Sequence, residues 1–490
     1  MMRFRFHAVA FAWLACHCSY LHSQQYVYEA PITDPLPLAT TATVTPTESA
    51  PLTMEELNAR LKAVESKAGK TDTELTKLSD AKKAADKPKL PHVTINGVFQ
   101  ADGVAFNQTD ESREAYGRVE GGAAFRRARL SAKGGVSESM DYFMQMDFGF
   151  FGRPTFTDVW ADFKNAGPLG TVRVGQWKQP FSLEVVSSFR YTTFMERSSL
   201  FQAFTPFRHI GIGFYDHSDD LNWTWAASYF RTGQDQFGGS LSTDGGNGAA
   251  GRLTHLLYYD GPQGEDYLHV GAGYFLNAPP RERVRYRSIP ELFVGEFVVP
   301  AGSPIGTSGQ AVPDVANGTP FFVDTGTITN TNLTQTFGTE ALWVRGPLSW
   351  QSEAMGAFVD TSTSGNAFLN GAYSQVGWFL TGEHRPYDRK AGAIDRVIPN
   401  SSVSKCGGIG AWEIAARWSY LDVTDQQIQG GMMQNMTTGL NWYVNPYCKC
   451  VFNYIHSWAD SRPIRNGTIT SNDFISSQTD AFGIRLQLDF

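Results

Sequence analysis

Ala481-Phe-Gly-Ile-Arg-Leu-Gln-Leu-Asp-Phe490 carries Phe482, Ile484, Leu486, Leu488 and Phe490 at every second position, with Arg485, Gln487 and Asp489 between them. On an extended backbone that period places all the apolar side chains on one face and the polar ones on the other. The stretch Tyr142-Phe-Met-Gln-Met-Asp-Phe-Gly-Phe150 repeats the pattern, with Tyr142, Met144, Met146, Phe148 and Phe150 opposite Gln145, Asp147 and Gly149. From residue 93 to 490 about sixteen such segments follow one another, bounded by Gly, Asn, Asp and Pro. A soluble sandwich would bury the apolar face against a second sheet, but the connections argue for a different answer. Those after even-numbered segments are mostly tight, as at 136–139, 345–346 and 445–447, whereas those after odd-numbered ones include 179–209 and 277–335. Short turns on one rim and long loops on the other define an all-β transmembrane barrel of about 16 antiparallel strands. The long connection 384–409 is the exception, because it falls on the short-turn rim. Trp160, Trp177, Trp343, Trp378, Trp412, Trp418, Trp442 and Trp458 fall near strand ends, as interfacial belts require. A final Phe490 after an alternating strand is what the barrel-assembly machinery of a bacterial outer membrane receives.

The remaining chain fits an exported protein. Residues 1–23 read as a secretory signal peptide, with Arg3 and Arg5 ahead of the apolar run 8–15. No later apolar run reaches the roughly 18 residues of a membrane helix, so passage through lipid requires a closed barrel that satisfies its own backbone. Residues 24–52 form a Pro/Thr-rich linker. Met54, Leu57, Leu61, Val64, Ala68, Thr71, Leu75 and Leu78 then alternate spacings of three and four, which predicts a coiled coil over 53–86. Because it precedes the first strand, it is expected in the periplasm. A lone solvated helix is the alternative, since Gly69 interrupts the seam. Of the five Cys, Cys16 and Cys18 leave with the signal, and a disulfide of Cys406 with Cys448 or Cys450 is expected. No metal site and no cofactor is expected, because ligand spacings are absent.

Lys and Arg total 41 against 48 Asp and Glu, a net charge of −7. A nucleic-acid partner is therefore not expected, and basic residues must act locally. Serine-hydrolase, metallopeptidase and nucleotide-binding motifs are also missing, so the chain does not read as an enzyme. Arg281, Arg283, Arg285 and Arg287 occupy every second position of 280–288, and an extended backbone would align all four as a ladder for anions. Taken alone, such a stripe on a soluble protein is more often a solvated edge strand or a nucleic-acid patch. In the strand from Phe125, Arg127, Arg129, Ser131 and Lys133 share a basic lumenal face opposite Ala128, Leu130 and Ala132. Arg126 breaks that alternation and is expected at the rim. Arg173 is lumen-facing by the same count, and Arg190 and Arg197 lie in the long connection after the fifth strand.

Several blocks resemble the phosphate-selective porin O and P family: Phe125-Arg-Arg-Ala-Arg-Leu-Ser131, Val174-Gly-Gln-Trp-Lys-Gln-Pro-Phe-Ser-Leu-Glu184, Phe194-Met-Glu-Arg197, Thr381-Gly-Glu-His-Arg-Pro-Tyr387, Gly410-Ala-Trp-Glu-Ile-Ala-Ala-Arg417 and Leu440-Asn-Trp-Tyr-Val-Asn445. The resemblance implies a trimeric sixteen-stranded barrel in outer-membrane lipid, with the third and fifth loops folded inward and arginines lining the pore. It implies pore-lining roles for Arg126 and Arg127 and for the row Arg281 to Arg287. It also implies an opposing acid at Asp158, which keeps anions from binding too tightly to leave. The implied function is an anion-selective channel for phosphate, pyrophosphate or other small anions. Other readings are a structural envelope anchor with a plugged barrel, and a general or anionic-sugar porin. The insertion 293–336 departs from the family and lies where it can reshape the entrance.

Overall fold

The computed structural model describes residues 53–55, 61–62, 89–149, 154–233, 243, 245–295, 318–362, 365–405, 407–465 and 468–490. The chain divides into two units, Met1–Lys87 and Pro88–Phe490. In the first unit Met54, Glu55, Leu61 and Lys62 are helical. The signal 1–23, the linker 24–52, the rest of the coiled coil and Cys406 lie outside the described residues, and Cys448 and Cys450 are free thiols.

The second unit is a closed antiparallel barrel of sixteen strands. The first half comprises β1 (Thr94–Gln108), β2 (Gly122–Ser137), β3 (Met140–Asp147), β4 (Thr155–Phe163), β5 (Thr171–Lys178), β6 (Arg208–His217), β7 (Trp223–Arg231) and β8 (Asn247–Asp260). The second comprises β9 (Asp266–Ala278), β10 (Thr331–Arg345), β11 (Leu348–Thr361), β12 (Gly365–Phe379), β13 (Ala411–Asp425), β14 (Ile428–Asn445), β15 (Cys448–Ser461) and β16 (Ile475–Asp489). Pairing of β16 with β1, from Val98 opposite Asp489 to Gln108 opposite Thr479, closes the cylinder and leaves no sheet edge. Every segment expected from alternation is one of these strands. The observed strands are often longer, as for β14, because past the lipid belt their outward residues turn polar and the alternation fades.

The two faces of β16 separate as expected. Phe482, Ile484, Leu486, Leu488 and Phe490 are exposed, while Arg485, Gln487 and Asp489 are buried towards the interior. Those inward groups are buried because three connections fold into the cylinder. The connection 179–207, with short helices Leu183–Val186 and Ser199–Phe204, buries Phe181, Leu183, Phe194, Met195 and Leu200 inside the wall. Phe181 fits only because its wall neighbours are glycines: a Cβ at Gly273 of β9 or Gly338 of β10 would stand 2.9 or 3.0 Å from its ring.

Glu291, in the connection after β9, has φ 58°, a strained value for a residue with a Cβ. Its carboxylate meets Arg417 Nη2 of β13 at 2.6 Å, Ser419 Oγ at 2.5 Å and the Ser199 amide at 2.8 Å. These bonds hold the strained turn against both the wall and the connection 179–207.

The exception on the short-turn rim also turns inward. The connection 380–410 forms a two-residue ladder, Tyr387–Asp388 with Ala393–Ile394. Arg385 pairs with Glu413 of β13 and Arg396 with Asp489 of β16. Across the lumen Tyr387 Oη meets His269 Nδ1 of β9 at 2.7 Å, and Arg252 of β8 donates to the Gly392 carbonyl at 2.7 Å. The connection is long because it spans the mouth.

Candidate lumenal anion site

The site begins with a fault in the β1–β2 ladder. Gln100 pairs with Arg127 but Ala101 pairs with Phe125, so Arg126 is an extra residue in a β-bulge. A bulge resets the alternation and lets two adjacent side chains point the same way. Phe125 remains exposed to the outside, and Arg126 joins Arg127 and Arg129 on the interior face, correcting the expectation that Arg126 sits at the rim.

These three arginines meet the connection 179–207. Arg126 grips Glu196 in a fork, Nε to Oε1 at 2.8 Å and Nη2 to Oε2 at 3.0 Å. Arg485 of β16 reaches the same carboxylate at 2.8 Å and forks onto Asp102 of β1 at 2.7 and 2.6 Å. Arg127 donates to Gln100 at 2.7 Å and stands 3.8 Å from Glu196. Arg129 pairs with Asp147 at 2.7 Å. Phe189 lies beneath the group, its ring centre 4.8 Å from the Arg127 guanidinium, 4.5 Å from Arg129 and 5.7 Å from Arg190. Arg190 stands 3.8 Å from Asp489, a carboxylate it shares with Arg396. Six guanidiniums thus face the four carboxylates of Asp102, Asp147, Glu196 and Asp489. Among the described residues Arg127 Nε and Arg190 Nε are buried without an acceptor.

Burial alone would raise the Glu196 carboxyl, but Arg126, Arg127 and Arg485 outweigh it and hold the group far below its ordinary value of 4.5. A depressed acid contributes its ion-pair stability in full above the unfolded value near 4.5 and loses it only as pH falls through the lower folded value. Glu196 is accordingly expected to stay ionised between about pH 7 and 5, which infrared difference spectra of the carboxyl region, recorded for the protein and for Glu196→Gln across that interval, check.

The other expected residues lie elsewhere. Arg173 forks onto Asp162 at 2.7 Å through both nitrogens and stacks on Trp160, 3.7 Å from the ring centre. Trp160 therefore faces inward and belongs to no lipid belt. Asp158 does not oppose the β2 arginines by direct pairing; its Oδ2 accepts from Arg208 Nε at 3.0 Å and Nη2 at 2.7 Å. A cavity of about 410 Å³ adjoins these pairs, lined also by Lys178, Arg252 and Lys390. Lys133 is exposed opposite Thr94, near the short-turn end of β2.

The arginine row of the fifth loop is shorter than its spacing suggests. Pro280–Glu282 forms a 3₁₀ turn, with Arg281 at φ 53° and Glu282 at φ 52°, so Arg281 leaves the row. Only from Arg283 is the backbone extended, and it pairs intermittently with 323–328 through Val284–Ile328 and Arg287–Asp324. Three rungs remain on one face. Arg283 is exposed, Arg285 forks onto Asp324 at 2.7 and 2.5 Å, and Arg287 stacks on Phe321 at 4.1 Å. The Pro279-Pro280 pair beside the row was the available signal, since proline fixes φ and favours a turn start. Glu196, Phe189, Arg485 and Asp102 had no local signal that set them apart.

A profile of the family described as phosphate-selective porin O and P matches residues 93–490. An uncharacterized protein of Caulobacter vibrioides is 24% identical over 434 residues, covering 83% of this chain and 80% of its own. Porin O of Pseudomonas aeruginosa is 22% identical over 403 residues, covering 78% of this chain and 86% of its own. Among solved structures, the anion-selective porin from Comamonas acidovorans matches with a TM-score of 0.49 at 10% identity, covering 81% of this chain and 99% of that one. A barrel closed by sixteen strands and matched by this profile along its whole length is a channel architecture of the bacterial outer membrane, and the chain belongs to the phosphate-selective porin O and P family.

Proposed function

We propose that this porin is an anion-selective diffusion channel for small oxyanions, phosphate and pyrophosphate among them. The observation that carries the reading is the arginine cluster around Phe189, where six guanidiniums share four carboxylates and two buried Nε donors have no acceptor among the described residues. Guanidinium forks match the geometry of phosphate oxygens, and the burial of these groups strengthens each contact. Selectivity follows this local field and not the net charge of the chain. Arg283, Arg285 and Arg287 lead in from the long-loop rim as a graded series, from exposed to half-buried. The family's description as phosphate-selective supports the reading of oxyanion passage. We place the coiled coil 53–86 in the periplasm, where it joins three copies of the chain into a homotrimer.

The inward connections favour one competing reading, a plugged barrel that anchors envelope layers. Planar-bilayer recordings separate the two. An open channel with a reversal potential of anion sign in a potassium chloride gradient, reduced by added phosphate, supports the proposal. Absence of conductance, or cation preference, refutes it.

A further inference from the structure

Resting on the anion-channel reading, we propose that Glu196 is a tethered counter-ion, seated where a permeating oxyanion binds and displaced by it, so that its charge sets how long the anion stays. Its carboxylate occupies the geometry of a bound oxyanion. Both oxygens are taken by the Arg126 fork, at 2.8 and 3.0 Å, and Oε1 is shared with Arg485 at 2.8 Å. Every hydrogen bond this carboxylate accepts among the described residues comes from a guanidinium.

The other acids of the cluster are fixed differently. Asp147 also accepts from the Ala128 and Gly149 amides at 3.1 and 3.0 Å, and Asp102, Asp147 and Asp489 all stand on wall strands. Glu196 stands on the connection 179–207, and only its guanidinium contacts have to break for the carboxylate to leave the seat. Its backbone meanwhile stays put. The Glu196 carbonyl accepts from Arg417 at 3.2 and 3.3 Å, and the neighbouring Met195 amide donates to Asn453 at 2.8 Å. A pinned backbone with a side chain held only by exchangeable ion pairs is what a displaceable counter-ion requires.

The incoming anion has something to gain by the exchange. Beside the seat, 3.8 Å from Glu196, Arg127 carries a buried Nε donor that Glu196 leaves unused. A tetrahedral oxyanion presents more acceptor oxygens than a planar carboxylate and can reach donors out of its plane. Glu196 opposes that gain by returning to the seat, which keeps binding weak enough for release. Asp158 cannot act this way on the cluster while Arg208 holds it.

Glu196→Gln and Glu196→Asp in the full-length porin test this in planar bilayers, with chloride as the carrier and inorganic phosphate as the blocker. Removing the charge is expected to tighten phosphate block by about tenfold or more and to slow phosphate passage, while anion preference in chloride persists. Glu196→Asp keeps the charge and is expected to restore block to near the wild-type value. Unchanged block in Glu196→Gln overturns the proposal. So does equal behaviour of the Asp and Gln variants, which would mean that side-chain length and loop packing matter and the charge does not. A wild-type channel without anion preference or phosphate block is instead a failure of the channel reading itself, and it is seen before either variant is measured.

Discussion

Arg126→Gln combined with Arg127→Gln is expected to abolish anion preference and to weaken phosphate block by about 30-fold or more, the loss of two charge-assisted contacts at 1–3 kcal/mol each. With both arginines present, six guanidiniums face four carboxylates; without them, four face four, and the local field that distinguishes anions from cations is gone. The pair Arg126→Lys with Arg127→Lys keeps the charge but gives up the fork. It should retain the reversal potential and lose part of the block, because an ammonium binds oxyanions as a point charge. Reversal potential and phosphate inhibition constant, measured on the same channels, separate the two effects. If the double glutamine variant keeps both wild-type values, the conducting path does not pass these residues.

Arg417→Ala is expected to destabilise the inward loops by about 3–5 kcal/mol, the cost of leaving a buried carboxylate without its partner. Arg417 is 1% exposed and joins two loops to the wall. It pairs with Glu291 at 2.6 Å, stands 3.6 Å from Glu184, donates to the Glu196 carbonyl and lies 4.6 Å from the Phe194 ring centre. Truncation leaves Glu291 buried and charged beneath a strained backbone. Urea unfolding in lipid vesicles should show the loss, and single-channel records should show larger, noisier conductance as the loops detach. Replacing both partners, Arg417→Met with Glu291→Leu, should recover part of the stability, because two apolar side chains carry no desolvation penalty. Equal stability of Arg417→Ala and wild type would mean that the loops are held by their apolar contacts alone.

The barrel was legible because lipid leaves few alternatives. In β16, one face meets hydrocarbon and the other the interior, so a two-residue period is enforced for the length of the membrane and shows without any knowledge of neighbours. The site was legible only in its inventory. Arg126 breaks the alternation, but whether such a residue turns inward depends on a register shift against Gln100 and Ala101, and pairing partners are not written locally. Arg281 to Arg287 looked uniform because spacing alone ignores backbone, and the prolines that start a turn there reduced four rungs to three. Glu196 sat in view within Phe194-Met-Glu-Arg197, yet its meaning comes from Arg485, 289 residues away, and from the folding of one connection into the cylinder. Contacts across a lumen have no period in the chain, so they must be found in the structure.

A hollow cylinder of strands yields most easily by flattening, since neighbouring strands can hinge about their shared ladder while its hydrogen bonds persist. This one is braced on the inside. Arg417 and Glu291 fasten one side, Tyr387 and His269 fasten the side reached by the connection 380–410, and Phe181 is wedged into the glycine hollow of β9 and β10. Lateral pressure from the bilayer therefore acts on a strutted tube, whose cross-section is set by side-chain lengths and not by the lipid. Conductance should then vary little between thin and thick membranes, and a cell that remodels its lipids would keep the same sieve.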